Sequence, residues 1–246
     1  MTEATLRCCQ NGGPPEDCMH CPLRSIALYG PAVDGKSDTL ERVRSSGMVH
    51  GTRHIMVREG EIPRQVFTLF SGWAFQFHLL PDGRRQIFSF LLPGDFIGAE
   101  GLINLPANYS VQSLTRVQLC GFDAQELGRV FQENVELRER INEHFYDEVS
   151  VLTGRLIDVG RRTATERIVR LILEIEQRAK SRGLVSDQTI PFPLRQTHIA
   201  DALGLTSVHV NRTINALRRA GHITFRRGSM VIENRMALQE IGGSSA

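Results

Sequence analysis

The chain has 246 residues, of which 41% are apolar and 23% are charged. These proportions are typical of a globular protein, and they exclude a wholly disordered, collagen-like or purely coiled-coil chain. The length allows one large domain or two of average size. No apolar run is long enough for a transmembrane helix, and the N-terminus has no apolar secretory segment. We therefore expect a cytoplasmic protein.

Charge is distributed unevenly along the chain. Residues 1–154 contain 14 basic and 19 acidic side chains, whereas residues 155–246 contain 15 and 8. The overall net charge of +2 thus conceals an acidic first part and a basic second part. This asymmetry predicts two domains, with nucleic acid as a candidate partner of the second.

The first half of the chain changes character at Met48. Residues 1–47 are rich in Gly, Pro and Ser and show little apolar periodicity. Residues 48–122 contain short strand-like segments separated by turn signals, such as Pro81-Asp82-Gly83-Arg84. Regular turn signals between short apolar segments predict an antiparallel sandwich or barrel.

From residue 123 the apolar period becomes helical. Apolar side chains recur at steps of three or four, which predicts one long helix within residues 123–160. The narrow width of this apolar stripe favours pairing with a second copy, and the alternative is a helix lying on the β domain. The stripe consists of Leu137, Ile141, Phe145, Val149, Leu152, Leu156 and Val159.

The basic region carries the most informative pattern. A capping box at Thr163–Glu166 opens one helix, which Gly183 closes. Residues 195–220 then read as two short helices joined at Gly204, which is a helix-turn-helix, and a hairpin turning at residues 226–229 reads as a wing. The second helix of such a unit lies in the major groove, where an arginine reads guanine. The side chains predicted to contact DNA are Ser207, Val208, His209, Asn211 and Arg212 in the second helix and Arg226 and Arg227 in the wing.

Three segments together resemble the Crp/Fnr family of bacterial transcription regulators. They read LFSGWAFQFHLLPDGRRQIFSFLLPGDFIGAEGL, ATERIVRLILEI and LRQTHIADALGLTSVHVNRTINALRRAGHI, and the resemblance spans about residues 18–235. It implies an α+β fold: a cysteine-bearing segment (1–47), a cyclic-nucleotide-binding-like β-roll or jelly roll (48–122), a dimerisation helix (123–160) and a winged helix-turn-helix (161–246). It also implies a homodimer on palindromic double-stranded DNA, with RNA polymerase as a partner if the protein is an activator.

The chain departs from the family pattern in two places. Val208 stands where the family usually has Glu, and Asn211 stands where it has Ser or Gly. Because valine cannot accept a hydrogen bond from cytosine N4, we do not expect the usual TTGA half-site. In the β-roll, Gly98-Ala99 and Tyr109-Ser110 replace the Gly-Glu and Arg-Ser pairs of cyclic-AMP-binding members. Without that arginine, we expect no cyclic nucleotide.

The five cysteines form an odd number, which argues against a closed disulfide framework. Strand alternation places Cys120 on a polar face with Arg116 and Gln118, and the alternative is a cysteine that fills the core. Fnr-type oxygen sensors bind a [4Fe–4S] cluster through N-terminal cysteines and one β-roll cysteine. The resemblance therefore implies a cluster ligated by four cysteines, namely Cys9, Cys18, Cys21 and Cys120, with Cys8 as a substitute for Cys9.

Other sensing chemistries stay open. The Cys18–Cys21 pair also fits half of a zinc site, with His20 as a weaker ligand, and the signal of a cysteine-bound group could be oxygen or nitric oxide. Without a cofactor, control could come from thiol oxidation, from expression level or from a small-molecule effector in the β-roll. Haem would require a ligand such as His50, His54 or His78. No P-loop, HExxH motif or catalytic triad is present, so we do not expect an enzyme.

Overall fold

The computed structural model describes residues 21–23, 25–28 and 43–243. The chain folds into two compact units. The first comprises residues 1–78 and 89–149, and the second comprises residues 79–88 and 150–246. Within the described ranges, no helix combines the length and apolar content needed to cross a bilayer.

Eight strands form two antiparallel sheets. They are β1 (Arg44–His50), β2 (Ile55–Val57), β3 (Gln65–Ser71), β4 (Ala74–Leu79), β5 (Arg85–Leu91), β6 (Phe96–Ile97), β7 (Ser110–Ser113) and β8 (Val117–Asp123). One sheet has the order β1-β8-β3-β6 and the other has the order β2-β7-β4-β5. Each contributes large side chains that are at most 1% exposed, such as Leu69 and Leu119 from the first and Phe75 and Phe90 from the second. This confirms the predicted β-roll, whose strands begin at Arg44.

The turn between β4 and β5 has the chemistry that the sequence indicates. The Asp82 carboxylate accepts hydrogen bonds from the Arg84 backbone N–H at 3.0 Å and from Arg84 Nε at 2.8 Å. Gly83 has a φ of 84°, a conformation that costs glycine little. The Pro81–Arg84 hairpin turn is therefore confirmed.

Strand β8 lies between β1 and β3 and is buried along six of its seven residues. Cys120 is 8% exposed and belongs to one apolar core with Phe122, Leu127 and Leu137. Our interpretation of its strand face as polar is wrong, because the helices that follow β8 cover that face. Gln118 is also buried, and its side-chain oxygen accepts a hydrogen bond from Ser71 Oγ at 2.9 Å.

Two helices stand where one was predicted. They are α1 (Ala124–Glu133) and α2 (Val135–Arg161), separated at Asn134, which has an extended backbone. Asp123 caps α1 by accepting the Gln125 and Glu126 N–H groups. Gly128 of α1 allows close packing on a 3₁₀ helix (Ala99–Ile103), since a Cβ there would lie 2.5 Å from the Leu102 carbonyl oxygen.

The second unit is a small helical domain with a three-stranded sheet. Its elements are α3 (Ala164–Ser181), β9 (Thr189–Pro191), α4 (Gln196–Leu203), α5 (Ser207–Arg219), β10 (Ile223–Arg226), β11 (Ser229–Ile232) and α6 (Arg235–Ile241). The sheet has the order β10-β11-β9. The sequence QTIPFPL, residues 188–194, predicts an extended stretch where β9 lies, but not its pairing with the wing hairpin. Leu171, Ile175 and Leu203 are completely buried and form part of its core.

Polar contacts fix the ends of these helices. Thr163 and Glu166 form the predicted capping box, with the Thr163 N–H donating to Glu166 Oε2 at 2.6 Å. Gly204 ends α4 with a φ of 64°, and the Thr206 hydroxyl accepts the His209 N–H at the start of α5. These contacts hold α4 and α5 as the predicted helix-turn-helix.

The β4–β5 turn region, residues 79–88, belongs to this second unit. Arg85 Nη2 lies 2.7 Å from Asp201 Oδ2 on α4, and Arg85 Nε donates to the same oxygen at 3.0 Å. Gln86 Nε2 donates to the Ala202 carbonyl at 3.1 Å. The hairpin tip is thus joined to the first helix of the helix-turn-helix.

Candidate nucleic-acid interface and sensor site

One face of α5 presents the side chains that the sequence assigns to DNA. Val208, His209, Asn211 and Arg212 are exposed, whereas Ser207 is half-buried. Val208 is 71% exposed, so packing within the protein does not explain an apolar side chain here. The opposite face buries Val210, Thr213, Ile214 and Leu217. The helix therefore presents a largely solvent-exposed surface opposite its buried face.

Two asparagines on this exposed face are linked. The Asn215 side-chain amide donates to Asn211 Oδ1, one helical turn away. Arg218 Nη1 donates to Asn215 Oδ1 at 3.5 Å, which extends the chain of polar groups toward the C-terminus of α5. This arrangement orients Asn211 and leaves Arg212 exposed beside it.

The wing carries its two arginines at the turn. Arg226 pairs with Ser229 across the hairpin, and the Ser229 hydroxyl donates to the Arg226 carbonyl at 2.7 Å. Gly228 has a φ of 79°, which permits this tight turn. Both Arg226 and Arg227 are exposed, so their guanidinium groups project from the hairpin tip.

His198 lies in the first turn of α4, and its Nδ1 accepts the Arg195 backbone N–H at 3.1 Å. Burial lowers its pKa to about 4, and the nearby positive charges of Arg85 and Arg195 act in the same direction. Asp201 opposes the shift. The imidazole is therefore neutral at physiological pH and serves as a hydrogen-bond acceptor within the helix-turn-helix.

Two of the candidate cysteines lie in the described residues, and they meet at one core. Cys21 and the apolar side chains of Leu23, Ile26 and Ala27 pack against the buried cluster that contains Cys120. Cys8, Cys9 and Cys18, with His20, fall outside the described residues. No group of three or more His, Cys, Asp or Glu side chains within the described ranges could hold a metal ion.

A buried polar cluster lies in the β-roll around Tyr109. Tyr109 is 8% exposed, and its pKa is raised above its usual range, first by burial and then by the charges of Glu100 and Glu148. Glu100 Oε2 is buried and has no hydrogen-bond partner among the described residues. Gln76 Nε2 donates to Glu148 Oε1 at 3.4 Å, and burial raises the pKa of Glu148. Glu148 lies on α2, and no pattern in the sequence pointed to this contact.

The candidate haem ligands have other partners. His50 and His54 stack with ring centroids 3.8 Å apart, and burial lowers the pKa of His50. His78 Nδ1 lies 2.9 Å from Glu59 Oε2. The three histidines are thus engaged with neighbouring side chains of the first unit, and haem gains no support from this geometry.

The apolar stripe on α2 divides into two parts. Leu137 is 1% exposed, and Ile141 and Phe145 pack partly buried against the Cys120 core. The remaining members are exposed: Val149 at 60%, Leu152 at 46%, Leu156 at 74% and Val159 at 43%. The first part therefore fits the alternative prediction of a helix on the β domain, whereas the second part presents an exposed apolar surface.

Comparison with known proteins places the chain in a family. Residues 166–241 match the Crp-like helix-turn-helix domain, and residues 51–134 match the cyclic nucleotide-binding domain. The nitrogen fixation regulation protein FixK of Bradyrhizobium diazoefficiens is 36% identical over 87% of this chain and 88% of its own length. The chain belongs to the Crp/Fnr family of transcription regulators.

Further similarities agree with this Crp/Fnr assignment. The transcriptional activator protein FnrL of Cereibacter sphaeroides is 29% identical over 93% of each chain. The solved structure of FixK2 from Bradyrhizobium japonicum has a TM-score of 0.73 and 24% identity, and the match covers 82% of this chain and 98% of that one. The chain is thus a DNA-binding regulator rather than an enzyme, and members of its family act as dimers.

Proposed function

We propose that this regulator responds to oxygen or redox state through a [4Fe–4S] cluster, as the Fnr resemblance implies. The observation that carries the proposal is the packing of Cys21 against the core that contains Cys120. These two cysteines are 99 positions apart in the chain, yet they meet at one place beneath α2. Cys9 and Cys18 would complete the ligand set, with Cys8 as a substitute for Cys9.

The chemistry of the residues fits such a group. Thiolates are the usual protein ligands of iron–sulfur clusters, and the flanking apolar side chains would limit access of water. The Gly12-Gly13-Pro14-Pro15 segment separates Cys9 from Cys18 and supplies the length for both to reach one site. A bound cluster would supply oxygen-sensitive redox chemistry. The protein's own contribution is to join the N-terminal segment to the β-roll through Cys21 and Cys120.

An anionic effector in the β-roll is a poor alternative. A cyclic nucleotide would bring its phosphate near Tyr109, where the neighbouring ionisable groups are the carboxylates of Glu100 and Glu148. A buried anion needs a cationic or donor-rich partner, and two carboxylates provide the opposite. We therefore propose that cyclic AMP does not control this regulator.

We propose that α5 reads the major groove of a palindromic site. Arg212 suits the O6 and N7 acceptors of guanine, and Val208 suits an apolar contact such as the methyl group of thymine. His209, Asn211 and Ser207 would complete the base-facing surface, and Arg226 and Arg227 of the wing would bind phosphates. A protein that binds DNA in this way acts in the cytoplasm, and if it activates transcription, RNA polymerase is its further partner.

Dimerisation would use the exposed part of the stripe: Val149, Leu152, Leu156 and Val159. Two copies of α2 that pair there would place two recognition helices about one DNA turn apart, as a palindrome requires. Leu137, Ile141 and Phe145 would support the dimer indirectly, because they anchor the first part of α2 on the Cys120 core.

The test of sensing is made on protein purified without oxygen. We expect a brown protein with about four irons per chain, as the proposed cluster requires, whose visible absorption bleaches in air. A C120A variant should lose the iron, whereas the C8A variant should retain it. DNA binding of the wild type should fall after exposure to air, and that of C120A should be insensitive to air. Wild-type protein that contains no iron after reconstitution would refute the cluster, and air-sensitive DNA binding would then indicate thiol oxidation.

A further inference from the structure

A positively charged groove begins at Arg212, which the sequence assigned to DNA, and extends to the C-terminal end of α5, where the sequence assigned no DNA contact. It has a volume of about 670 Å³ between the helix and strand β10. Its lining residues are Arg212, Asn215, Arg218, Arg219, Ile223 and Thr224. Three of the six are arginines and none is acidic, so the groove favours an anionic ligand.

Arg218 and Arg219, at the end of α5, each have several N–H donors that make no hydrogen bond within the described residues. Arg218 Nη1 donates to Asn215 Oδ1 at 3.5 Å, and Arg219 Nε donates to the Asn215 carbonyl at 3.3 Å. A guanidinium has five N–H donors, so one bond each leaves most of them available. In the described part of the chain, no carboxylate lies within ion-pair distance of either guanidinium. Phosphate oxygens are the acceptors that this fork-shaped group matches best.

The groove continues the exposed face of α5. Arg212, Asn215 and Arg219 are separated by three and four positions, so they lie on one side of the helix. The helix has 13 residues, which gives a length of about 20 Å at 1.5 Å per residue. The major groove of B-DNA is about 12 Å wide. A helix whose first turns enter that groove therefore extends beyond its edge, and its last turn comes close to the phosphate strand.

We propose that Arg218 and Arg219 bind the DNA phosphate backbone that borders the recognised major groove. They contribute affinity and register but no base preference, because phosphates are the same at every position. The proposal rests on the DNA-reading function of α5 described above. It assigns the C-terminal turn of α5 a phosphate-binding role separate from that of the wing.

The experiment measures the salt dependence of DNA binding. The full-length protein is titrated by fluorescence anisotropy, at several KCl concentrations, against a duplex that the wild type selects from random DNA and against a mixed-sequence duplex. Each phosphate contact contributes about 0.9 to the slope of log K against log salt. The R218Q/R219Q variant removes two contacts per protomer, so its slope for the dimer should be shallower by about 3 to 4. Binding to both duplexes should weaken by a similar factor.

Three comparisons make the result decisive. R218K/R219K keeps both charges and should keep most of the slope. R58Q/R64Q removes two exposed charges from the β-roll and should leave the slope unchanged, which separates local contacts from net charge. Single variants should each lose about half of the effect, and circular dichroism checks that α5 is intact in all of them.

An unchanged slope for R218Q/R219Q, in a protein whose wild type binds DNA, would overturn the proposal. The arginines would then stabilise the C-terminus of α5 or bind an acidic protein partner. A change in the ratio of the two affinities would also overturn it, because it would indicate base reading. Wild-type protein whose binding does not depend on salt would instead refute the proposed DNA interface as a whole.

Discussion

Leu156 provides the sharpest test of how two copies pair. Its side chain is 74% exposed in the single chain, although it lies on a continuous apolar stripe. Fully burying a leucine stabilises by about 1.5–3 kcal/mol, so burying this exposed part in a dimer contributes about 1–2 kcal/mol per copy. Because a twofold interface uses each residue twice, L156A should weaken the dimer by about 2–4 kcal/mol. That corresponds to an increase of roughly 30- to 700-fold in the dissociation constant.

Ile157 offers a matched control. It has the same number of carbon atoms as leucine and is 48% exposed, but it points about 100° away from Leu156 around the helix. The I157A variant should therefore leave the dimer nearly unchanged. The dissociation constants are measured by sedimentation over a range of protein concentrations. Equal effects of L156A and I157A, or no effect of L156A, would refute pairing through the stripe.

Two further predictions concern the DNA-binding unit. If Val208 contacts the methyl group of a thymine, replacing that thymine by uracil should weaken wild-type binding about fourfold per half-site, the equivalent of about 0.8 kcal/mol. The V208E variant should bind thymine and uracil sites equally and should prefer cytosine at that position. Equal binding of the wild type to the thymine and uracil sites would contradict the contact. The pKa of His198 is lower in the folded protein than its unfolded value of 6.5, so the unfolded state binds more protons as the pH falls. The contribution of His198 to stability is therefore complete above pH 6.5 and is lost as the pH falls towards 4. Allowing for partial exposure, urea unfolding at pH 7.5 and pH 5 should show a loss of about 1–2 kcal/mol in the wild type that H198N lacks, because the asparagine oxygen accepts the Arg195 N–H without titrating. An equal loss in H198N would exclude His198 as the source.

The second unit was largely predictable because its signals are local. Thr163 and Glu166 form a capping box three residues apart, Gly204 ends a helix through its own φ, and the wing turns at Gly228. Each of these features depends on a few adjacent residues, so the printed sequence contains most of the information. The sequence indicated the extended stretch that forms β9 but not its partner, because the pairing with β11 joins segments about 40 positions apart.

The sensor site was less predictable, because burial there depends on distant elements. Strand alternation alone assigned Cys120 to a polar face, since Gln118 precedes it on the same side. The structure buries both residues, because α1 and α2 return across β8 and cover that face. The contact of Gln76 with Glu148 likewise joins a strand to a helix 72 positions later, and no local rule indicates it.

Helix α2 links the core that contains Cys120 to the apolar stripe that we propose pairs two copies. Its first part is held on the Cys120 core by Leu137, Ile141 and Phe145, and its second part exposes the stripe that we propose pairs two copies. Gly154 and Gly160 interrupt neither part, since the 27 residues form one uninterrupted helix. A helix is stiff along its axis, so we propose that a change in packing at the Cys120 core alters how α2 presents its exposed stripe to a second copy. If pairing differs by only 1–3 kcal/mol between the two states of the core, a typical coupling energy, DNA affinity changes by about 5- to 150-fold.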